Sequence, residues 1–162
     1  LATLLAEPNL VSDLLATDLN PDAVKLLMSN LSKWDRRQYP EGAIELQQVH
    51  ENRLVGLADA LTLAENQEIA GKWDLVLVNL PHRTIEFLPA IIPLLDRSSP
   101  SMIRGRVIVE ESEIEQANQT IRSMLPNTMP DKPQPSLKIK RDYSSSLRLC
   151  SFEAWVSEEV RN

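Results

Sequence analysis

An apolar, partly β-branched run that ends abruptly in a polar tip constrains this sequence more than any other feature. Trp73-Asp74-Leu75-Val76-Leu77-Val78 leads into Asn79-Leu80-Pro81, and a helical pattern starts directly afterwards. A near-continuous hydrophobic run of this length reads as a buried parallel strand, and the helix behind it completes a strand–helix unit. In open α/β sheets, ligands bind at the carboxyl ends of such strands. Asn79 stands at one of those ends.

The flanking sequence supplies further units of the same kind. Residues 1–7 read as the end of a helix stopped by Pro8, and residues 10–19 as a strand ending in the acidic Asp18. Asn20-Pro21-Asp22 is a helix start: an amide cap, a proline in the first turn and an acid near the positive end of the helix dipole. Val24, Leu27, Met28 and Leu31 then share one face, which predicts a helix over 21–31 and a loop over 34–42. Ile44, Leu46 and Val49 alternate like a strand, Arg53 to Leu57 reads as another, and Asp59-Ala60 precedes a short helix over 61–69 closed by Gly71.

Past Pro81, the apolar positions Ile85, Leu88, Ile91, Ile92 and Leu95 have helical spacing, with Pro89 and Pro93 as breaks. A strand over 102–109, an amphipathic helix over 110–125, a proline-rich loop, and two strands near 136–143 and 147–157 complete the chain. Strands alternating with helices before a terminal hairpin define an α/β protein with an antiparallel sheet edge. The 162 residues are expected to form a single domain.

Composition removes several function classes. Four glycines leave no room for a glycine-rich phosphate loop, and 4% aromatic residues argue against a base-stacking platform. A net charge of −6 disfavours strong electrostatic capture of nucleic acid by the chain as a whole. The single cysteine, Cys150, forms no disulfide framework and fits a reducing cytoplasm. The longest apolar stretch, Phe87 to Leu95, holds two prolines and falls far short of a membrane span, so no membrane partner is expected. His50 and His82 have no carboxylate or cysteine at ligand spacing, so no metal is expected.

Three positions are candidates for chemistry. Asp18, at a strand end, suits hydrogen bonds from ribose hydroxyls, or is a solvated acid. Asp59-Ala60 could meet an adenine amino group at the end of a third strand, or serve as a helix cap. Asn79 both donates and accepts, so it could hold an amine and orient a nucleophile together, with Pro81 fixing the turn; the alternative is a turn-forming asparagine. His82 could line a pocket rim or begin a solvated helix. Short basic clusters occur at Arg36-Arg37, Arg104 with Arg106, and Lys138, Lys140 and Arg141, and alternation sets Lys138 and Lys140 on one strand face.

Together these residues bring a family into view. Asp18-Leu19-Asn20-Pro21-Asp22-Ala23-Val24, then Asp59-Ala60, then Asn79-Leu80-Pro81-x-x-Thr84-x-Glu86-Phe87-Leu88 resembles the class I methyltransferase domain of the tRNA guanosine-37 N1-methyltransferases. The wybutosine-pathway aminocarboxypropyl transferases share the pattern. The likeness is good over residues 1–95 and holds in outline beyond.

It implies a Rossmann-like sheet with helices on both faces and S-adenosylmethionine as cofactor. It places Asp18 and Asn20 on the ribose side, Asp59 and Ala60 near the adenine, and Asn79 with Pro81 at the methionine end beside the target base. The implied substrate is a guanine of tRNA or another RNA. A transferred aminocarboxypropyl group, or a degenerate fold serving as a binding scaffold, is the alternative.

The family's glycine-rich first motif, its first strand and its proposed general base would precede Leu1, so the chain is expected to be truncated at that end. The two strands that flank the first strand should then be unpaired on their inner edges. Lys140-Arg141-Asp142-Tyr143-Ser144 resembles the family's late tyrosine segment, without its usual proline or the later histidine and aspartate.

Overall fold

A computed structural model describes residues 11–125 and 128–157. The helix end expected before Pro8 lies outside them. Two compact units divide the chain, Leu1–Ala60 and Leu61–Asn162.

The first unit contains strand β1 (Leu14–Asp18), helix α1 (Pro21–Asp35), and strands β2 (Gln47–His50) and β3 (Arg53–Leu57), with sheet order β1-β3-β2. β1 runs parallel to β3, and β2 antiparallel to it. β1 starts later than the apolar run suggested. The Ser12 carbonyl is bound by the Asn52 amide (2.5 Å) and the Arg53 guanidinium (2.8 Å) instead of a neighbouring strand.

α1 begins as its sequence dictates. The Asn20 side chain accepts from Asp22 N at 2.9 Å, with Pro21 in the first turn. It continues past Leu31 to Asp35, because Trp34 packs against the core and the left-handed stop comes only at Arg36 (φ 55°). Val24, Met28 and Leu31 bury against Leu14 and Val55, each such side chain contributing roughly 1.5–3 kcal/mol.

The expected strand from Ile44 to Val49 is split into a single bridge from Glu45 to Leu57 and the short β2. Gly56 permits the close approach: its φ is +151°, and a Cβ there would lie 2.5 Å from the Glu45 carbonyl oxygen.

A polar network closes this unit. Arg53, 5% exposed, grips Asp35 with Nε and Nη2 at 3.0 and 3.2 Å, and the Tyr39 hydroxyl donates to the same carboxylate at 2.6 Å. Burial raises the pKa of Asp35, but the hydrogen bonds from Tyr39 and Arg53 and the charges of Arg53 and Arg37 outweigh it and leave that pKa lowered.

The second unit contains strand β4 (Leu75–Val78), helix α2 (Thr84–Ile91), strand β5 (Ser101–Glu110), helix α3 (Ile114–Met124), and strands β6 (Lys138–Asp142) and β7 (Leu147–Val156). Its sheet order is β4-β5-β7-β6, parallel between β4 and β5 and antiparallel on either side of β7. The helix expected over 61–69 is reduced to one 3₁₀ turn, Leu63–Glu65. Asn66 explains the loss: its side chain accepts from Glu68 N at 2.9 Å, and its carbonyl takes the amides of Ile69 and Ala70. Pro89 lies inside α2, and Pro93 falls in the 3₁₀ turn Ile92–Leu94 that follows it.

Alternation along β5 and β7 buries Ile103, Gly105, Val107, Cys150, Phe152, Ala154 and Val156 on one face. α2 and α3 touch each other and pack on that face. Arg104, Arg106 and Glu153 stand exposed on the other.

A bulge between Ile139 and Arg141 changes the expected pattern of β6. Lys138 lies opposite Ser151 and Arg141 opposite Leu149, so Lys138 and Arg141 share a face, with Lys140 as the inserted residue.

Among the described residues, β1 pairs along its length only with β3, and in the second unit β4 pairs only with β5.

Candidate functional site

In the first unit, the parallel register Asp18↔Leu57 brings two of the candidate acids to one sheet edge. Asp18 ends β1, and Asp59 lies two residues beyond the end of β3. The backbone N–H of Ala58, the residue before Asp59, donates to the Asp18 carbonyl at 3.3 Å.

The Asp18 carboxylate is exposed. Its Oδ1 accepts from Asn20 N at 2.8 Å, and among the described residues its Oδ2 accepts from nothing. One oxygen is thus used to shape the turn into α1, and the other is available to an external donor. Asn20 spends its side-chain oxygen on the helix cap. Asp59 and Ala60 are half-buried in the segment that leaves β3.

In the second unit, Asn79 follows β4 directly, and the turn behind it is held at three points. The Leu80 carbonyl accepts from Arg83 N at 2.7 Å and from the Thr84 hydroxyl at 2.9 Å. The Pro81 carbonyl accepts from Ile108 N, near the end of β5, at 2.8 Å. Thr84 is fully buried. Arg83 forks onto Glu86 at 3.0 and 2.6 Å and lies over the Phe87 ring. The Arg83 hydrogen bond holds the Glu86 carboxyl below its usual range.

On this pinned turn the Asn79 side chain is exposed and has no hydrogen-bond partner among the described residues. An amide that caps nothing, on a turn that cannot drift, suits recognition of an external group carrying both a donor and an acceptor.

One contact was not legible in the sequence. The His82 Nε2 and the Tyr143 hydroxyl lie 3.2 Å apart across 61 residues, with the rings edge to face. Topology creates the pair. β6 runs parallel to β5, so the hairpin after Asp142 returns to the same edge at which β4 and β5 end. Thr84 could have been found from its spacing, since a threonine four residues after a carbonyl commonly bonds back to it. Among the described residues, no three of histidine, cysteine, aspartate and glutamate converge on a metal position, and no helix is long and apolar enough to cross a membrane.

Parallel strands alternating with helices, followed by a C-terminal antiparallel pair, give a mixed α/β fold of the Rossmann-like kind, which solved structures share. Similar solved structures include TYW2 of M. jannaschii in complex with AdoMet, with a TM-score of 0.63 and 16% identity over 88% of this chain. The complex of aTrm5 with tRNALeu gives 0.61 and 14% over 90%, and Trm5b from Pyrococcus abyssi 0.57 and 21% over 91%. At these identities the likeness is one of fold. The chain spans 57%, 35% and 38% of those three chains. No protein-family profile matches the sequence, and no curated protein matches it.

Proposed function

We propose that this chain carries part of an S-adenosylmethionine-dependent transferase that modifies RNA, with methyl transfer to a guanine base of tRNA as its reaction. The observation that carries the proposal is the exposed Asn79 amide, without a partner among the described residues, on its pinned turn at the carboxyl end of β4. Fold similarity to a protein bound to AdoMet and to one bound to tRNA supports it.

In the first unit, the residues present suit the cofactor's nucleoside end. A ribose diol needs an acceptor, and Asp18 Oδ2 is one; Asn20 orients that carboxylate through its backbone amide. The Asp59 carboxylate accepts from the adenine amino group, with Ala60 beside the ring. Asn79 holds the target base by its edge, and Pro81 fixes the backbone from which the amide projects. When bound, the cofactor supplies a methyl group on a positively charged sulfur. The chain's own contribution is positioning, which lowers a barrier by removing the entropy of bringing the groups together.

Calorimetric titration of the protein with S-adenosylmethionine, followed by mass analysis of treated tRNA, tests this. Binding heat and a methylated guanine are expected. An aminocarboxypropyl adduct would replace the reaction while keeping the cofactor. No heat would favour a binding scaffold and remove the proposal.

A further inference from the structure

The net charge of −6 is not spread evenly. On the sheet face of the second unit that α2 and α3 leave open, the register aligns Arg106 on β5, Ser151 on β7 and Lys138 on β6 in one row across three strands. The next row towards the carboxyl edge is Ile108, Leu149 and Arg141. Arg106, Lys138 and Arg141 are exposed and have no ion pair among the described residues.

The acids nearby are mostly engaged. Glu153 pairs with Arg104 at 2.5 Å, while Asp142 and Glu111 pair with Arg148. Glu110, half-buried at the end of β5, is the remaining acid on this face. β6 is the sheet's edge strand, all five of its residues are exposed, and its bulge turns Arg141 onto the open face.

The strip ends on an aromatic pair. One residue beyond β6, Tyr143 (48% exposed) stands against His82, three residues from Asn79. Unpaired cations climbing an edge strand towards exposed rings match a phosphodiester chain that presents an unstacked base at its end. An acidic peptide would use the cations and leave the rings idle.

We infer that the β6 edge of the sheet binds the RNA substrate, with Arg106, Lys138 and Arg141 on successive phosphates and the Tyr143–His82 pair stacking a base that flanks the one held by Asn79. This deepens the RNA-modification reading above and rests on it.

Fluorescence anisotropy with a labelled unfractionated tRNA pool across a salt series tests the surface, alongside calorimetry with S-adenosylmethionine on the same proteins. The doubly reversed Lys138→Glu/Arg141→Glu variant should weaken tRNA binding roughly tenfold or more and flatten the log–log salt slope by about 1.5, while the cofactor heat is unchanged. Tyr143→Ala should weaken binding about fivefold, and Tyr143→Phe should restore it, since stacking needs the ring and not the hydroxyl. Variants that bind tRNA like the parent overturn the surface and leave the methyltransferase reading intact. Competition by polyglutamate as strong as by tRNA overturns the assignment to RNA. Absent cofactor heat, with tRNA binding still lost in the variants, sinks the transferase reading and supports the surface.

Discussion

The Thr84 hydroxyl reaches back 2.9 Å to the Leu80 carbonyl, and its methyl group stands where β5 has only Gly105. One buried side chain therefore fixes the turn behind Asn79 and closes the packing between α2 and the sheet. Replacing it with valine keeps the shape and removes the bond. Thr84→Val should lose about 1–2 kcal/mol in urea unfolding, because the Leu80 carbonyl then keeps only the Arg83 amide. Turnover should fall more than stability alone explains, since the Asn79 turn loses one of its three fixings. An unchanged urea midpoint would show that the bond contributes nothing.

Gly105 is the complementary test. A Cβ at this position would overlap the Phe152 ring, which is 1% exposed, and would come within 3.2 Å of Thr84 Cγ2. Gly105→Ala should destabilise by roughly 1–3 kcal/mol through overpacking. Adding Phe152→Leu to it should recover part of that loss. No recovery in the double variant would place the strain elsewhere.

The buried cluster of the first unit predicts a pH dependence. Asp35 has its folded pKa below the ordinary 3.8, so its contribution is complete above the unfolded value and is lost as pH falls through the folded one. Urea midpoints should therefore drop as acidification passes below the unfolded value, and Asp35→Asn should flatten that part of the curve.

Breaking the same pair from the other side should be more severe. Arg53→Met leaves the carboxylate, 14% exposed, without its guanidinium, at a cost of about 3 kcal/mol near neutral pH. Equal neutral-pH stability of parent and variant would show that the pair only balances its own desolvation.

Asn79→Ala separates positioning from binding. Cofactor affinity should stay within a few-fold while turnover falls at least ~100-fold, the scale of a lost transition-state hydrogen bond. Single-turnover rates with tRNA are the measurement, and an unchanged rate removes Asn79 from the reaction.

Much of this was written in local patterns. The strand ending at Asn79, the Asn20-Pro21-Asp22 helix start and the alternation along β5 and β7 follow from residue type and spacing, because periodicity and capping act within a few residues. The short-range errors have local causes too: Asn66 competes with helix, Gly56 admits a crossing backbone, and Trp34 prolongs α1 by packing.

What only the tertiary structure decided are the long-range meetings. Thr84 against Gly105, Arg53 with Asp35, and His82 against Tyr143 depend on strand order and on which edge each strand reaches. A bulge of one residue moved Arg141 onto the face of Lys138. Sequence by itself determined which side chains stand at strand ends. Register and topology, which are set by pairing energies summed over whole strands, decided which of them meet.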